Sequence, residues 1–245
     1  MKNQRTIRVG GVALIATGIL YPAVFAFLAI RFNYPDILDG QGHEVLPRLW
    51  EGGLTFRAAW TLYGLLPLLL LPAGTGAFYA LRKHMEGGMR VALHLSLFSA
   101  FALMLGLLRW SSIHFELARF YQTADGSQRE VIDAVFLGLN SYLGNYIGEF
   151  LGEGMMHGFL LLSAMAMLRT PGFPKWLGWI GIIVSGLNLV AVFRNVSVVA
   201  ESVQDGLNML MLFPVWLVIF GIGLIRFAAK MRREEGLSTA EINPV

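Results

Sequence analysis

The chain has 245 residues, 56% of them hydrophobic and only 14% charged, with no cysteine and a formal net charge of +3. Soluble domains carry about 25% charged residues, so this chain lacks the polar surface to cover a globule in water and reads as a membrane protein. The absent cysteines exclude disulfide frameworks, thiolate metal sites, thiol nucleophiles and iron–sulfur clusters. The isoelectric point near 9.3 is no sign of a nucleic-acid partner, because the placement of the basic residues has a topological reason.

A helix that crosses the hydrocarbon core needs about 20 mostly apolar residues. Six stretches meet this, at about 7–32, 58–81, 89–108, 146–168, 176–193 and 207–227. The expected fold is all-α: a polytopic bundle of six transmembrane helices in one integral membrane domain spanning 1–245, with a charged tail at 228–245. Met-Lys-Asn-Gln-Arg before the first apolar run has the outline of a signal peptide. The run goes on with no small-residue cleavage site near its end, so it is expected to stay as the first helix. Pro22, Pro67, Pro72 and Pro214 are expected to kink the spans without ending them.

Lysines and arginines set the orientation. With the N-terminus in the cytoplasm, Lys2, Arg5, Arg8, Arg82, Lys83, Arg90, Arg169, Lys175, Arg226, Lys230, Arg232 and Arg233 fall inside, every lysine among them. The outside keeps Arg31, Arg48, Arg57, Arg109, Arg119, Arg129 and Arg194. Both termini are therefore expected in the cytoplasm. The inner connections, 82–88 and 169–175, are short. The outer ones, 33–57 and 109–145, are long and mix charges with Tyr34, Trp50, Trp110, Phe115, Phe120 and Tyr121. Such rings settle at the headgroup level. Apolar spacing predicts short helices at 112–121 and 129–142, and a disordered terminus after the charged end of the last helix.

The fourth span holds the informative residues. Asn145, Glu149, Glu153 and His157 recur every four positions and share one stripe of a helix. His157 lies roughly 12 Å deeper than Glu149 at 1.5 Å per residue. Ionised carboxylates at that depth cost several kcal/mol unless paired, hydrated or protonated, so the stripe is expected to face a cavity or a partner charge. Beside it run Gly144, Gly148 and Gly152, which would let another backbone approach closely. Arg57, Arg109 and Arg194 lie at the same outer level, with Glu201, Asp205, Asn188 and Asn208 in or near the last two spans.

Three readings stand together. In one, the charges only tie helices to each other. In the second, an outward-facing cavity binds a small polar or ionic ligand, or a proton, through Asn145, Glu149, Glu153, His157, Arg57, Arg109 and Arg194. In the third, His157 and Glu153 with His114 and Glu116 supply nitrogen and oxygen ligands to a divalent metal such as zinc or iron, as in an enzyme acting at the outer face. The Gly-faced spans also suit a non-catalytic subunit of a larger complex or an oligomer. His43 and His84 are placed in loops, and His94 is read as a packing residue of the third span. No nucleotide-binding, hydrolase or metalloprotease motif is found. The halves on either side of 109–145 share no convincing repeat.

Arg57-Ala58-Ala59-Trp60 leading into Leu65-Leu66-Pro67-Leu68, the Gly148-Glu149 step, and Phe173-Pro174-Lys175-Trp176-Leu177-Gly178-Trp179 with Gly181 beyond resemble the DUF4386 family of uncharacterised bacterial multi-pass proteins. The resemblance implies a protein of the bacterial inner membrane. It brings no established activity or catalytic residues.

Overall fold

The computed structural model describes residues 2–195 and 212–242, with no strand among them. Six helical segments there are long and apolar enough to cross a membrane. α1 (Lys2–Phe32) is one 31-residue helix that carries Pro22 without ending. It stops where Asn33 takes a left-handed backbone, φ 58°, a conformation asparagine tolerates better than most residues. The outer connection then folds into α2 (Gly42–Glu51). A turn at Gly53, φ +54° with open space where a Cβ would be, starts α3 (Gly53–Leu65).

The second crossing thus begins five residues before the predicted 58. Its kink is a 3-10 turn at Leu66–Leu69 holding Pro67, after which α4 (Leu70–Leu81) continues to the far side. Proline has no N–H to give the helix, and the tighter turn absorbs the loss. α5 (Glu86–Leu108) is the third crossing. The two predicted outer helices are present, as α6 (Ile113–Tyr121) and α7 (Gly126–Leu139).

The fourth crossing differs most from expectation. α7 runs without a break through a π-helix, Asn140–Glu153, into α8 (Gly154–Arg169). This makes one 44-residue segment, Gly126–Arg169, about twice what a bilayer crossing needs. Composition around 140–145 reads as a break because Asn140, Ser141 and Gly144 are poor helix formers, but tertiary partners hold these residues helical. α9 (Lys175–Ala191) closes with a 3-10 turn, Val192–Asn195. α10 (Leu212–Ile242) carries the charged end of the chain on as helix to Ile242, where composition points to a disordered terminus. The predicted opening of the sixth span at 207 falls outside the described residues.

Small residues set the helix contacts. Gly11 of α1 lies against the Gly221 backbone and Ile225 of α10, and Gly18 lies against Pro214 and Val218. That order makes the pair antiparallel, so the start of α1 and the end of α10 sit on one face of the bundle. Gly10 and Gly76 bring α1 and α4 equally close, since a Cβ on either would stand 2.7 Å from the other's Cα. One apolar core lies between the helices toward that face, around Leu14, Ala77, Phe159, Leu160, Trp216 and Phe220. A second fills the opposite end, where α2, α6 and α7 cap the bundle around Phe32, Trp60, Trp110 and Phe136. The Trp60 and Trp110 rings stack there at 5.0 Å and 17°. Val12, Ile30, Phe98, Leu105, Trp179 and Ile183 are exposed on the outside of the spans, as side chains solvated by lipid would be.

The cap has its own pH response. Asp125 begins α7 with a capping box, accepting from the Gln128 backbone N–H at 2.9 Å while Gln128 Oε1 accepts from the Asp125 N–H at 3.1 Å. The Gln128 N–H and the Ser127 hydroxyl hold the Asp125 carboxyl below the usual aspartate range. A lowered folded pKa stabilises above the unfolded value and stops doing so as pH falls through the folded value. The protection of the first α7 amides relative to their intrinsic exchange rates should therefore fall below about pH 4, and Asp125→Ala should show that lowered protection already at neutral pH. Equal protection in both proteins would refute this role for Asp125.

Candidate functional site

The π-helical run has a cause in its sequence. Gly144, Gly148 and Gly152 recur through it, and each glycine weakens the α-helical turn by roughly 1 kcal/mol relative to alanine. π-turns ordinarily occur singly and often at functional sites; here they extend over 14 residues. The expected close approach is made by α5. A Cβ on Gly106 would stand 2.7 Å from the Gly148 Cα, and one on Gly152 would stand 3.0 Å from the Leu103 N. Ser99 Oγ donates to the Gly152 carbonyl at 2.8 Å across the same seam.

With the glycines turned to α5, the acidic stripe faces the end of α9. Arg194, on the closing 3-10 turn, donates from a single nitrogen, Nη2, to Glu149 Oε2 at 2.8 Å and to Glu153 Oε2 at 2.9 Å. Its Nη1 donates to the Ala191 carbonyl at 3.3 Å. The three side chains are 22–28% exposed, so the triad is mostly withdrawn from the surroundings.

Arg109 is nearly fully buried beside it. Its Nε and Nη2 donate to Asn140 Oδ1 at 3.2 and 3.0 Å, and its Nη1 donates to the Gly106 carbonyl. Asn140 Nδ2 in turn donates to the Leu38 carbonyl at 3.1 Å. Arg109 acts electrostatically on Glu149 and Tyr34, but its hydrogen bonds go elsewhere. Tyr21, Tyr34 and Tyr63 gather nearby: the Tyr21 and Tyr63 rings are 4.4 Å apart, and Tyr63 hydrogen-bonds with both other hydroxyls. Burial, then the charges of Glu149 and Glu153, push the Tyr34 hydroxyl well above the usual tyrosine range. It therefore stays neutral and able to donate.

The other expected residues scatter. Arg57 lies in the cap, exposed, with its Nε donating to the Ser111 carbonyl at 3.2 Å and its guanidinium 4.8 Å over the Phe115 ring. Asn145 is half-buried, and it is Asn140, five residues earlier, that serves the buried arginine. His157 is buried against Phe213, rings 5.1 Å apart, with Nδ1 unpartnered among the described residues. His114 is enclosed between Trp110 and Phe136, at 4.8 and 4.7 Å, and Glu116 pairs with Arg119 at 2.8 Å on the exposed side of α6. Among the described residues no three His, Asp or Glu side chains are grouped to hold a metal. His94 is exposed on α5, not packed in the core. His43 stands in the first turn of α2, not in a loop, with Nδ1 3.9 Å from Asp133 Oδ2. Asn188 bonds its own helix at Val184. Glu201, Asp205 and Asn208 lie outside the described residues.

Sequence reasoning from charge alone misses Asn140, Tyr21 and Tyr63. Each is a neutral polar side chain in or beside an apolar span, and that position is itself the signal that marks them.

Six helices long and apolar enough to cross a membrane, with exposed apolar side chains on their outside, make this a multi-pass α-helical membrane protein. A family model, "Domain of unknown function (DUF4386)", matches residues 9–227, and the chain belongs to that family. No curated protein and no solved structure matches it.

Proposed function

We propose that this protein lies in the bacterial inner membrane with both termini cytoplasmic, and that Glu149 and Glu153 bind a proton or small cation in its outer half. The observation that carries the reading is a charge count: two carboxylates share one guanidinium nitrogen. The triad holds one negative charge in excess, and the hydrogen bonds of the nearest further cation, Arg109, go to the neutral Asn140 and Gly106, so it acts on Glu149 through space. The stretch 196–211 brings no lysine or arginine. In a medium of low dielectric a charge balanced only from a distance is costly, and a proton or a cation at the carboxylates lowers that cost. Arg194 then exchanges partners: neutralising one glutamate weakens its hold on Nη2 and frees that donor for an anionic or polar ligand. The neutral Tyr34 hydroxyl supplies a further donor at the outer edge.

Infrared difference titration of the full chain in nanodiscs tests this. The wild type should show one carboxyl band that rises on acidification and is suppressed by Na⁺ or K⁺ if a cation competes. Glu153→Gln or Glu149→Gln should remove it. A carboxyl signal that ignores both pH and cation, or one unchanged in both variants, leaves only a tie between helices and overturns the proposal.

A further inference from the structure

A second feature lies at the opposite end of the bundle, on the face where α1 begins and α10 ends. Where α1 and α4 touch at Gly10 and Gly76, their surfaces part to one side. They leave an open groove of about 270 Å³ lined by Arg5, Thr6, Val9, Pro72 and Thr75. Its lining mixes apolar, hydroxyl and cationic side chains. Val9 and Pro72 form an apolar wall. Thr6 and Thr75 place hydroxyl groups beside it, with Thr75 Oγ1 donating to the Leu71 carbonyl at 2.8 Å and so presenting its lone pairs. Arg5, also lining the groove, is exposed and makes no ion pair among the described residues. Thr75 lies six residues before the last residue of α4, about 9 Å along the axis, which is the level of the first acyl carbons below the headgroups and short of the bilayer centre.

We propose that this groove binds the head of an anionic phospholipid from the leaflet on that face. Arg5 takes the phosphate at the surface, and the first acyl carbons run past the threonines along Val9 and Pro72. Guanidinium suits phosphate because its fork donates two parallel hydrogen bonds. Basic pockets between transmembrane helices recognise acidic headgroups by the same pairing. Charge complementarity selects the occupant: Arg82 and Lys83 lie near the same end, and the Arg82 guanidinium sits 4.9 Å over Tyr79, so the surrounding field is positive. The groove is too small for a whole lipid and needs only its head. Under the positive-inside reading this is the cytoplasmic leaflet.

Native mass spectrometry of the full chain released from nanodiscs of mixed phosphatidylglycerol and phosphatidylcholine tests the site. The wild type should retain one phosphatidylglycerol in clear preference. Arg5→Gln should reduce that retention at least fivefold, and Thr75→Phe, which fills the groove, should do the same. Arg8→Gln, an exposed neighbour outside the groove, should retain the lipid. Equal retention of both lipids by the wild type, retention unaffected by Arg5→Gln, or equal loss in Arg8→Gln would overturn the proposal. Displacement of the lipid by inorganic phosphate would also do so, because it would make the site one for a free anion. Arg5 is exposed, so its replacement keeps the test valid if Thr75→Phe fails to fold.

Discussion

Replacing Arg194 by glutamine is expected to lower the unfolding free energy by about 2–3 kcal/mol, because removing one partner strands the other charges in a poorly solvated place. Fully buried pairs lose more when broken, but these side chains keep 22–28% exposure, which softens the loss. The expected pattern across variants is more specific than the single value. The triple variant Glu149→Gln, Glu153→Gln, Arg194→Gln leaves no charge within the triad and should recover to within about 1 kcal/mol of the wild type. Chemical unfolding in mixed micelles measures both. A triple variant less stable than Arg194→Gln alone would show that shape, and not charge, holds the fourth and fifth crossings together.

The second large effect is expected at Gly106. A Cβ there would stand 2.7 Å from the Gly148 Cα and 3.0 Å from the Leu143 carbonyl oxygen, both backbone atoms that cannot rotate away. Gly106→Leu must drive α5 off the π-helical run. That separates Ser99 from the Gly152 carbonyl and moves the Gly106 carbonyl that holds Arg109. A loss of about 3 kcal/mol is expected, with faster exchange of the amides in Asn140–Glu153. Gly138→Ala is the control: nothing lies within 4 Å of its Cβ position, so it should be neutral or stabilise by up to about 1 kcal/mol through helix propensity. Equal behaviour of the two variants would show that the close helix contact does not shape the site.

Both effects depend on the fourth crossing, where composition and tertiary structure share the work unequally. The repeat of Gly144, Gly148 and Gly152 makes a close helix neighbour legible in the sequence itself, since every fourth position lies on one side of a helical segment. The repeat does not say which helix comes, and α5 meets it through its own Gly106. The acidic stripe is equally legible, because a carboxylate in an apolar run needs a partner. Arg57, Arg109 and Arg194 are equal candidates by depth. Only Arg194 reaches Glu149 and Glu153, because the chain turns just after α9 and aims that side chain at the π-helix. Arg109 is drawn instead to Asn140 and Arg57 to the cap.

Class, number of crossings and the position of most connections follow from composition and hydropathy alone, because the bilayer charges a similar free energy for each misplaced polar group wherever it stands in the chain. Which buried polar groups meet was decided by tertiary structure. Such pairing depends on helix rotation and crossing points, which set distances of a few ångströms between residues up to 102 positions apart and leave no periodic trace in the sequence. The continuous 126–169 segment has the same origin: weak helix formers at its centre keep helical geometry because Arg109, Leu38 and α5 hold their polar groups and backbone in place.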